Sequence, residues 1–258
     1  MRAAYHPRIS VNSICSWNLP FDEDVELWRG LGIGDVGVIE PKLDAFGWDA
    51  SRDMIHASGL RVSSMSCYRW GTGRSLEFCP TVGADILYMT SGGYGPVPWE
   101  DAASSFCQEI HPHVSRAAEL GVTLAVEPTN PLRTDSSFLH SVRDAIDLAR
   151  VCGMKVVIDF YSAWYERDIE SLLRANPGIV GLAQICDYRL GTFDMPNRSV
   201  PGDADIPIER LVSSILDTGY EGPFDIEVLG PRIEEEGYPS AIARSAEFAS
   251  EMLDRLGV

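Results

Sequence analysis

The sequence has little positive charge. It contains 21 Lys and Arg residues against 38 Asp and Glu residues, which gives a formal net charge of -17 at pH 7. Such an excess of negative charge repels phosphate backbones and anionic membrane surfaces over distances of about a Debye length. We therefore expect a small-molecule partner and neither nucleic acid nor a membrane.

Long apolar runs and paired cysteines are also missing. No stretch approaches the ~20 apolar residues of a membrane helix, and residues 1–7 contain no apolar core of signal-peptide length. No two cysteines form a Cys-x-x-Cys pair, which argues against a zinc ribbon and a dithiol redox motif. We expect a cytoplasmic protein from a reducing compartment. The six cysteines are Cys15, Cys67, Cys79, Cys107, Cys152 and Cys186.

What the sequence does contain is a regular alternation of short apolar runs and segments of helical periodicity. The predicted strands are 8–14, 35–40, 60–66, 85–90, 122–127, 155–160, 179–186 and 223–228. The predicted helices are 22–29, 48–58, 75–82, 99–120, 137–152, 167–175, 207–218 and 239–256. Eight strand-then-helix units favour a parallel sheet with right-handed crossovers.

A single (β/α)8 TIM barrel over residues 1–258 fits this count, because such barrels need about 250 residues. A doubly wound open sheet is the alternative, but the sequence has no G-x-G-x-x-G or G-x-x-x-x-G-K-[ST] motif for phosphates. No linker rich in Pro, Gly or Ser divides the chain. The longest connection, 187–206, is expected to cover a site.

Four of the predicted strands end on oxygen-bearing side chains: Glu127, Asp159, Gln184 and Glu227. In a (β/α)8 barrel the carboxyl ends of the strands build the active site. A buried carboxylate without a partner is costly, so three at one level of the barrel predict a cation. Carboxylate and amide oxygens suit Mg2+ or Mn2+ better than zinc.

At these residues the sequence resembles the xylose isomerase-like superfamily, in particular its sugar phosphate isomerases and epimerases, which include ketose 3-epimerases. The resembling motifs are VEPTN at 126–130, IDFYSAW at 158–164, AQICD at 183–187 and DIEVL at 225–229. The segment 197–207 resembles the family's Arg and Pro-Gly-x-Gly loop, with Ala204 at the second Gly. This resemblance extends over nearly the full chain.

The resemblance implies one divalent ion held by Glu127, Asp159, Gln184 and Glu227, with the two glutamates also acting as the acid/base pair. This division of roles is chemically consistent, because the metal stabilises the enediolate that forms when a carboxylate removes the α proton. The chain departs from the family in two places. Gln184 stands where a His ligand is usual, and Ser162 stands where a sugar-binding His is usual.

Further residues near the strand ends are candidates for substrate binding. Arg198 is expected to bind a substrate oxygen or phosphate, and several aromatic residues are expected either to line a pocket or to pack beneath loops. Glu40 is a candidate, although an ion pair with Lys42 is the more ordinary interpretation. The candidates are Arg198, Ser162, Trp17, Tyr161, Glu40 and Asp187, and the remaining aromatic residues are Trp70, Tyr94 and Trp164.

Three functions remain open from the sequence. The first is a divalent-metal-dependent isomerase or epimerase that removes a proton α to a carbonyl of a sugar-like substrate. The second is a metal-dependent lyase that cleaves a keto-glycoside, including a C-glycoside, by the same enolate chemistry. The third is a non-catalytic barrel that serves as a binding subunit. The family resemblance also implies a homodimer or homotetramer.

Overall fold

The computed structural model describes residues 5–258. Residues 1–4, which begin the predicted domain and its N-terminal segment, lie outside the described residues. The strands of the barrel are β1 Ile9–Asn12, β2 Asp35–Ile39, β3 Arg61–Ser66, β4 Ile86–Thr90, β5 Thr123–Glu127, β6 Lys155–Asp159, β7 Val180–Ile185 and β10 Phe224–Ile226. They pair in parallel and close into one eight-stranded barrel, as predicted. A separate antiparallel pair, β8 Asp187–Tyr188 and β9 Arg198–Ser199, lies within the long connection.

The helices surround the barrel and follow the predicted order. They are α1 Phe21–Leu31, α2 Glu40–Phe46, α3 Trp48–Ser58, α4 Thr72–Val82, α5 Trp99–Leu120, α6 Val142–Cys152, α7 Phe160–Ala163, α8 Ile169–Arg174, α9 Ile208–Leu216, α10 Pro231–Glu236 and α11 Tyr238–Leu256. The short helices α2, α7 and α10 were not predicted. Helix α6 begins five residues later than predicted, because the Ser141 hydroxyl caps it by accepting from the Asp144 N–H.

The interior of the barrel is apolar on one side and polar on the other. Tyr88 and Leu182 belong to a small buried apolar cluster inside the strands, whereas Asn12 and Asp225 form a hydrogen bond of 2.8 Å across the polar side. Gly37 faces this polar side, where a Cβ atom would lie 2.8 Å from the Asn12 amide nitrogen. Glycine is therefore required on β2 by close packing rather than by an unusual backbone angle.

A buried ion pair fixes the start of α2, but its partners differ from the predicted ones. Lys42 Nζ lies 2.5 Å from Asp24 Oδ2 and donates to the Ser16 carbonyl. The predicted pairing of Lys42 with Glu40 is wrong, because α2 begins at Glu40 and turns the lysine towards α1. Burial raises the pKa of Asp24 to about 6 despite the adjacent ammonium group.

Two helices are joined by a disulfide that the sequence spacing did not predict. Cys107 on α5 is bonded to Cys152 on α6, and their Cα atoms are 5.5 Å apart. The four other cysteines carry buried thiols. No helix within residues 5–258 has the length and the apolar character needed to cross a membrane.

The Lys42–Asp24 pair gives a prediction about stability. Lys42→Met should lower the free energy of unfolding by about 3–5 kcal/mol, because it leaves a buried carboxylate with no cation. Urea unfolding measures this change. As a control, Arg52→Ala removes an exposed pair with Asp49 and should cost less than about 1 kcal/mol. Equal effects of the two substitutions would contradict a structural role for the buried pair.

Candidate active site

A cavity of about 760 Å3 opens at the carboxyl ends of the barrel strands. Its position follows from the topology, since all eight parallel strands end at the same face of the barrel. The cavity brings together most of the residues predicted from the sequence. These are Trp17, Glu127, Asp159, Tyr161, Ser162, Arg198 and Glu227.

Three predicted site residues do not line this cavity. Gln184 lies directly below it in the barrel, fully buried. Glu40 accepts a hydrogen bond of 2.6 Å from the Tyr68 N–H and so supports the turn after β3. Asp187 is buried beneath the long loop. Glu40 and Asp187 therefore accept backbone N–H groups instead of lining the cavity where substrate would bind. Their positions in the sequence alone could not indicate these contacts.

The guanidinium group of Arg198 lies between two carboxylates. It donates to Asp159 Oδ2 at 2.9 Å and to Asp159 Oδ1 at 3.2 Å, and it lies 2.9 Å from Glu227 Oε1. A further bond of 3.0 Å reaches the Glu227 carbonyl, and the Tyr161 ring lies below the charge at 5.0 Å. Such a shared, forked arrangement is the strongest form of carboxylate recognition available to arginine.

The long connection after β7 brings Arg198 to this position. Strand β9 pairs antiparallel with β8, placing Arg198 opposite Tyr188. The Asp187 carboxylate holds the loop from below by accepting four backbone N–H groups, from Tyr188, Gly202, Ala204 and Ile206, at 2.8–3.0 Å. The expected covering loop is thus anchored by Asp187 and holds the Arg198 guanidinium at the site.

Asp159 has further partners on its own helix. As the N-cap of α7, it accepts the Tyr161 N–H at 3.1 Å and the Ser162 hydroxyl at 3.4 Å. Burial raises the pKa of Asp159, while Arg198 and these donors act in the opposite direction. Ser162, which stands at the family's sugar-binding His position, therefore orients a carboxylate here.

Gln184 connects the floor of the barrel to Glu227. Its amide nitrogen donates to Glu227 Oε2 and to the Tyr88 hydroxyl, the latter at 3.1 Å. Its carbonyl oxygen is buried and has no hydrogen-bond partner. The Tyr88 hydroxyl also accepts a hydrogen bond of 3.0 Å from Asn12 Nδ2.

Tyr88 and Asn12 were not predicted from the sequence as site residues. Tyr88 is surrounded by apolar residues in β4, so it resembles an ordinary core residue. Asn12 closes β1 and could have been found by the same strand-end rule that identified Glu127.

The site holds more negative than positive charge. Burial, followed by the charges of Glu227 and Asp159, raises the pKa of Glu127 well above its ordinary value. Burial also raises the pKa of Glu227 to about 7, against the opposing effect of Arg198. With all three carboxylates ionised and one guanidinium present, the group would carry two uncompensated negative charges. These charges would be stabilised by a divalent cation or by protons.

The donor set fits a hard divalent ion in its chemistry and its charge. Glu127, Asp159 and Glu227 supply carboxylate oxygens, and Gln184 Oε1 is a buried oxygen without a partner. Across residues 5–258, no three His, Cys, Asp or Glu side chains already converge as a metal cage. Because Arg198 lies between Asp159 and Glu227, an ion at these oxygens would compete with the guanidinium.

Comparison with known proteins identifies the class. A model of the xylose isomerase-like TIM barrel family matches residues 25–249, and the chain belongs to this family. Among curated proteins it is similar to the L-ribulose-5-phosphate 3-epimerase UlaE of Escherichia coli O157:H7, with 25% identity over 202 residues. The match covers 74% of this chain and 63% of that epimerase, so the chain spans less than two thirds of its relative's length.

Two solved structures share the fold. The IolI protein, solved with a bound zinc atom, is 16% identical with a TM-score of 0.82, and the match covers 96% of this chain and 98% of that one. D-Psicose 3-epimerase from Clostridium cellulolyticum H10, solved with D-tagatose, is 13% identical with a TM-score of 0.74. That match covers 95% of this chain and 98% of the epimerase. At these identities the likeness establishes the barrel alone.

The anchoring of the long loop gives a second prediction. Asp187→Asn keeps the shape of the side chain but replaces one of the two oxygens that accept the loop N–H groups with an amide nitrogen. Each hydrogen bond to the charged carboxylate contributes about 1.5–3 kcal/mol. Hydrogen exchange at Gly202 and Ala204 should accelerate at least about tenfold, since 1.4 kcal/mol corresponds to that factor, while the strand amides keep their protection. Asp194→Asn, an exposed substitution in the same loop, is the control. Unchanged exchange in Asp187→Asn would contradict the anchoring role.

Proposed function

We propose that the protein is an isomerase or epimerase that removes a proton α to the carbonyl of a sugar-like ketone. The observation that carries this proposal is that Glu127 and Glu227 line one cavity. Both have a carboxyl pKa raised by burial, and a carboxyl group that titrates closer to neutral pH is better suited to general acid–base catalysis. One glutamate removes the proton and the other returns it to the carbon.

We further propose that one divalent ion, Mn2+ or Mg2+, binds at Glu127, Asp159, Glu227 and the carbonyl oxygen of Gln184. When bound, such an ion supplies Lewis acid stabilisation of a developing enediolate. The bound zinc of the IolI protein supports a metal in this family. Arg198 orients Asp159 and Glu227, and Ser162 donates to Asp159, so both residues preorganise the carboxylates.

A lyase that cleaves a keto-glycoside is the second candidate, and the apolar side of the cavity favours it. Trp17 and Tyr68 line the cavity on the segments after β1 and β3, where an apolar leaving group would bind. The first step, loss of the α proton to a glutamate, is the same in both reactions. The non-catalytic alternative lacks such support, because a binding subunit has no need of the two buried carboxylates Asp159 and Glu227 beside Glu127.

Proton exchange in deuterated water tests the proposal. Purified protein with Mn2+ should incorporate deuterium α to the carbonyl of at least one member of a panel of ketoses and keto-glycosides, as measured by NMR. Glu127→Gln should lower this exchange by about 10²–10⁴-fold, the usual contribution of a general acid or base. Glu251→Gln, on the exposed face of α11, is the matched control.

The outcomes separate the candidates. Exchange that survives Glu127→Gln would overturn the assignment of the base. Exchange followed by release of an aglycone would identify the lyase. A wild-type protein that neither exchanges protons nor retains a metal in elemental analysis would support the binding subunit.

A further inference from the structure

The cavity has two chemically different sides. Its carboxylates come from the ends of β5, β6 and β10, whereas the segments after β1, β2 and β3 contribute mainly apolar groups. The apolar groups include Ile14, Trp17, Ile39, Pro41 and Tyr68. At about 760 Å3 the cavity lies in the range that binds drug-sized ligands, and a single five- or six-carbon sugar at the carboxylates leaves the apolar side empty.

The cavity offers no unpaired cation. Among the described residues, only two basic side chains line it, Arg133 and Arg198. Arg198 is neutralised by Asp159 and Glu227. Arg133 forms a forked pair with Asp135, with bonds of 2.9 and 3.0 Å.

The acidic side chains around the cavity outnumber these cations, because Glu234 joins the three carboxylates of the site. A phosphate ester requires the opposite arrangement, since it is bound by free Arg or Lys side chains or at a helix N-terminus. Here Glu234 lies in the first turn of α10 and occupies the positive end of that helix.

We propose that the substrate is an uncharged sugar ketone joined to an apolar ring, with the sugar at the carboxylates and the ring against Trp17. This inference rests on the proposed function and narrows it to a substrate class. It separates this chain from the similar L-ribulose-5-phosphate 3-epimerase, whose substrate carries a phosphate. A ring that packs on Trp17 would also cover an indole that is 50% exposed.

Binding distinguishes this inference from the proposed function, because it does not depend on turnover. Titration calorimetry with phenyl glucoside, methyl glucoside and glucose 6-phosphate should give the tightest binding for the phenyl compound and the weakest for the phosphate. Deuterium exchange is then measured with the 3-keto derivatives of the two glucosides and with L-ribulose 5-phosphate. Binding in this order without exchange would refute the proposed function and leave the binding preference standing. Tightest binding of the phosphate, or no binding of any glucoside, would overturn the substrate class.

Two substitutions test the two sides separately. Trp17→Ala should weaken binding of phenyl glucoside at least about fivefold, the scale of one aromatic contact, and leave methyl glucoside unchanged. Phe193→Ala is the control, because this ring is 86% exposed and lies outside the cavity lining. Asp135→Asn releases Arg133 and should strengthen binding of glucose 6-phosphate. If Trp17→Ala binds phenyl glucoside as the wild type does, the ring does not lie against Trp17.

A second inference comes from the hydrogen bonds of Tyr88, which lines the floor of the cavity. Both of its bonds are accepted ones, from Asn12 Nδ2 and Gln184 Nε2. The orientation of the Asn12 amide is fixed, because its oxygen accepts the Ile14 N–H at 3.0 Å. The Gln184 nitrogen is fixed by the Glu227 carboxylate.

With both lone pairs of the Tyr88 oxygen engaged, the hydroxyl proton is left without an acceptor among the described residues. We propose that Tyr88 donates this proton in a hydrogen bond to the substrate oxygen that gains negative charge as the α proton leaves. The donor is held in place before the reaction begins, which is the arrangement that stabilises a developing oxyanion most effectively. Asn12 and Gln184 act as positioning residues.

Tyr88→Phe tests this role. It should lower the rate of deuterium exchange by about 10²–10³-fold, as loss of an oxyanion donor does, with little change in the dissociation constant of the glucosides. Tyr220→Phe is the matched control, because it removes a tyrosine hydroxyl that donates to the Pro223 carbonyl at the other end of the barrel, away from the cavity. Wild-type exchange in Tyr88→Phe would overturn the role of Tyr88. A wild-type protein without exchange would refute the proposed function and this role with it.

Discussion

The arrangement of the site depends on one shared cation. Arg198 holds Asp159 and Glu227 together at 2.9 Å from each carboxylate, in a place where unpaired carboxylates would be very costly. The guanidinium compensates only one of the three negative charges. The raised pKa values of Glu127 and Glu227 are the consequence, since burial without sufficient compensation favours the protonated acid.

The cation and the carboxylates reach the site by different routes. Each carboxylate is delivered by a barrel strand, so its position is fixed by the closed sheet and its register. Arg198 is delivered by the long loop, whose position depends on the four backbone bonds of Asp187 and the short β8–β9 pair. A single buried acid at the base of the loop thus determines where the positive charge lies.

Much of the fold was predictable because the signals are periodic and local. The eight strands follow from short β-branched runs separated by helical segments, and the barrel follows from their number. The strand-end rule also found Glu127, Asp159 and Glu227, all of which line the cavity. The rule says which end of the barrel a side chain occupies but not what it touches.

The remaining features depend on contacts between residues distant in sequence. Nothing in the local sequence indicates that Lys42 pairs with Asp24 or that Cys107 is bonded to Cys152. Tyr88 could not be predicted as a site residue for a related reason. It lies in an apolar strand, and its hydroxyl is positioned by hydrogen bonds from Asn12 and Gln184, which belong to two other strands. Gln184 was correctly placed at a strand end, but its donation to Glu227 required the structure.

The loop that carries Arg198 contributes no strand to the closed barrel. It lies between β7 and α9, and its own strands pair only with each other. Changes in its length or sequence can therefore alter the charge above the carboxylates while the eight strands remain paired. In evolutionary terms, substitutions in this segment of the chain can change the chemistry of the site without altering the register of the barrel strands.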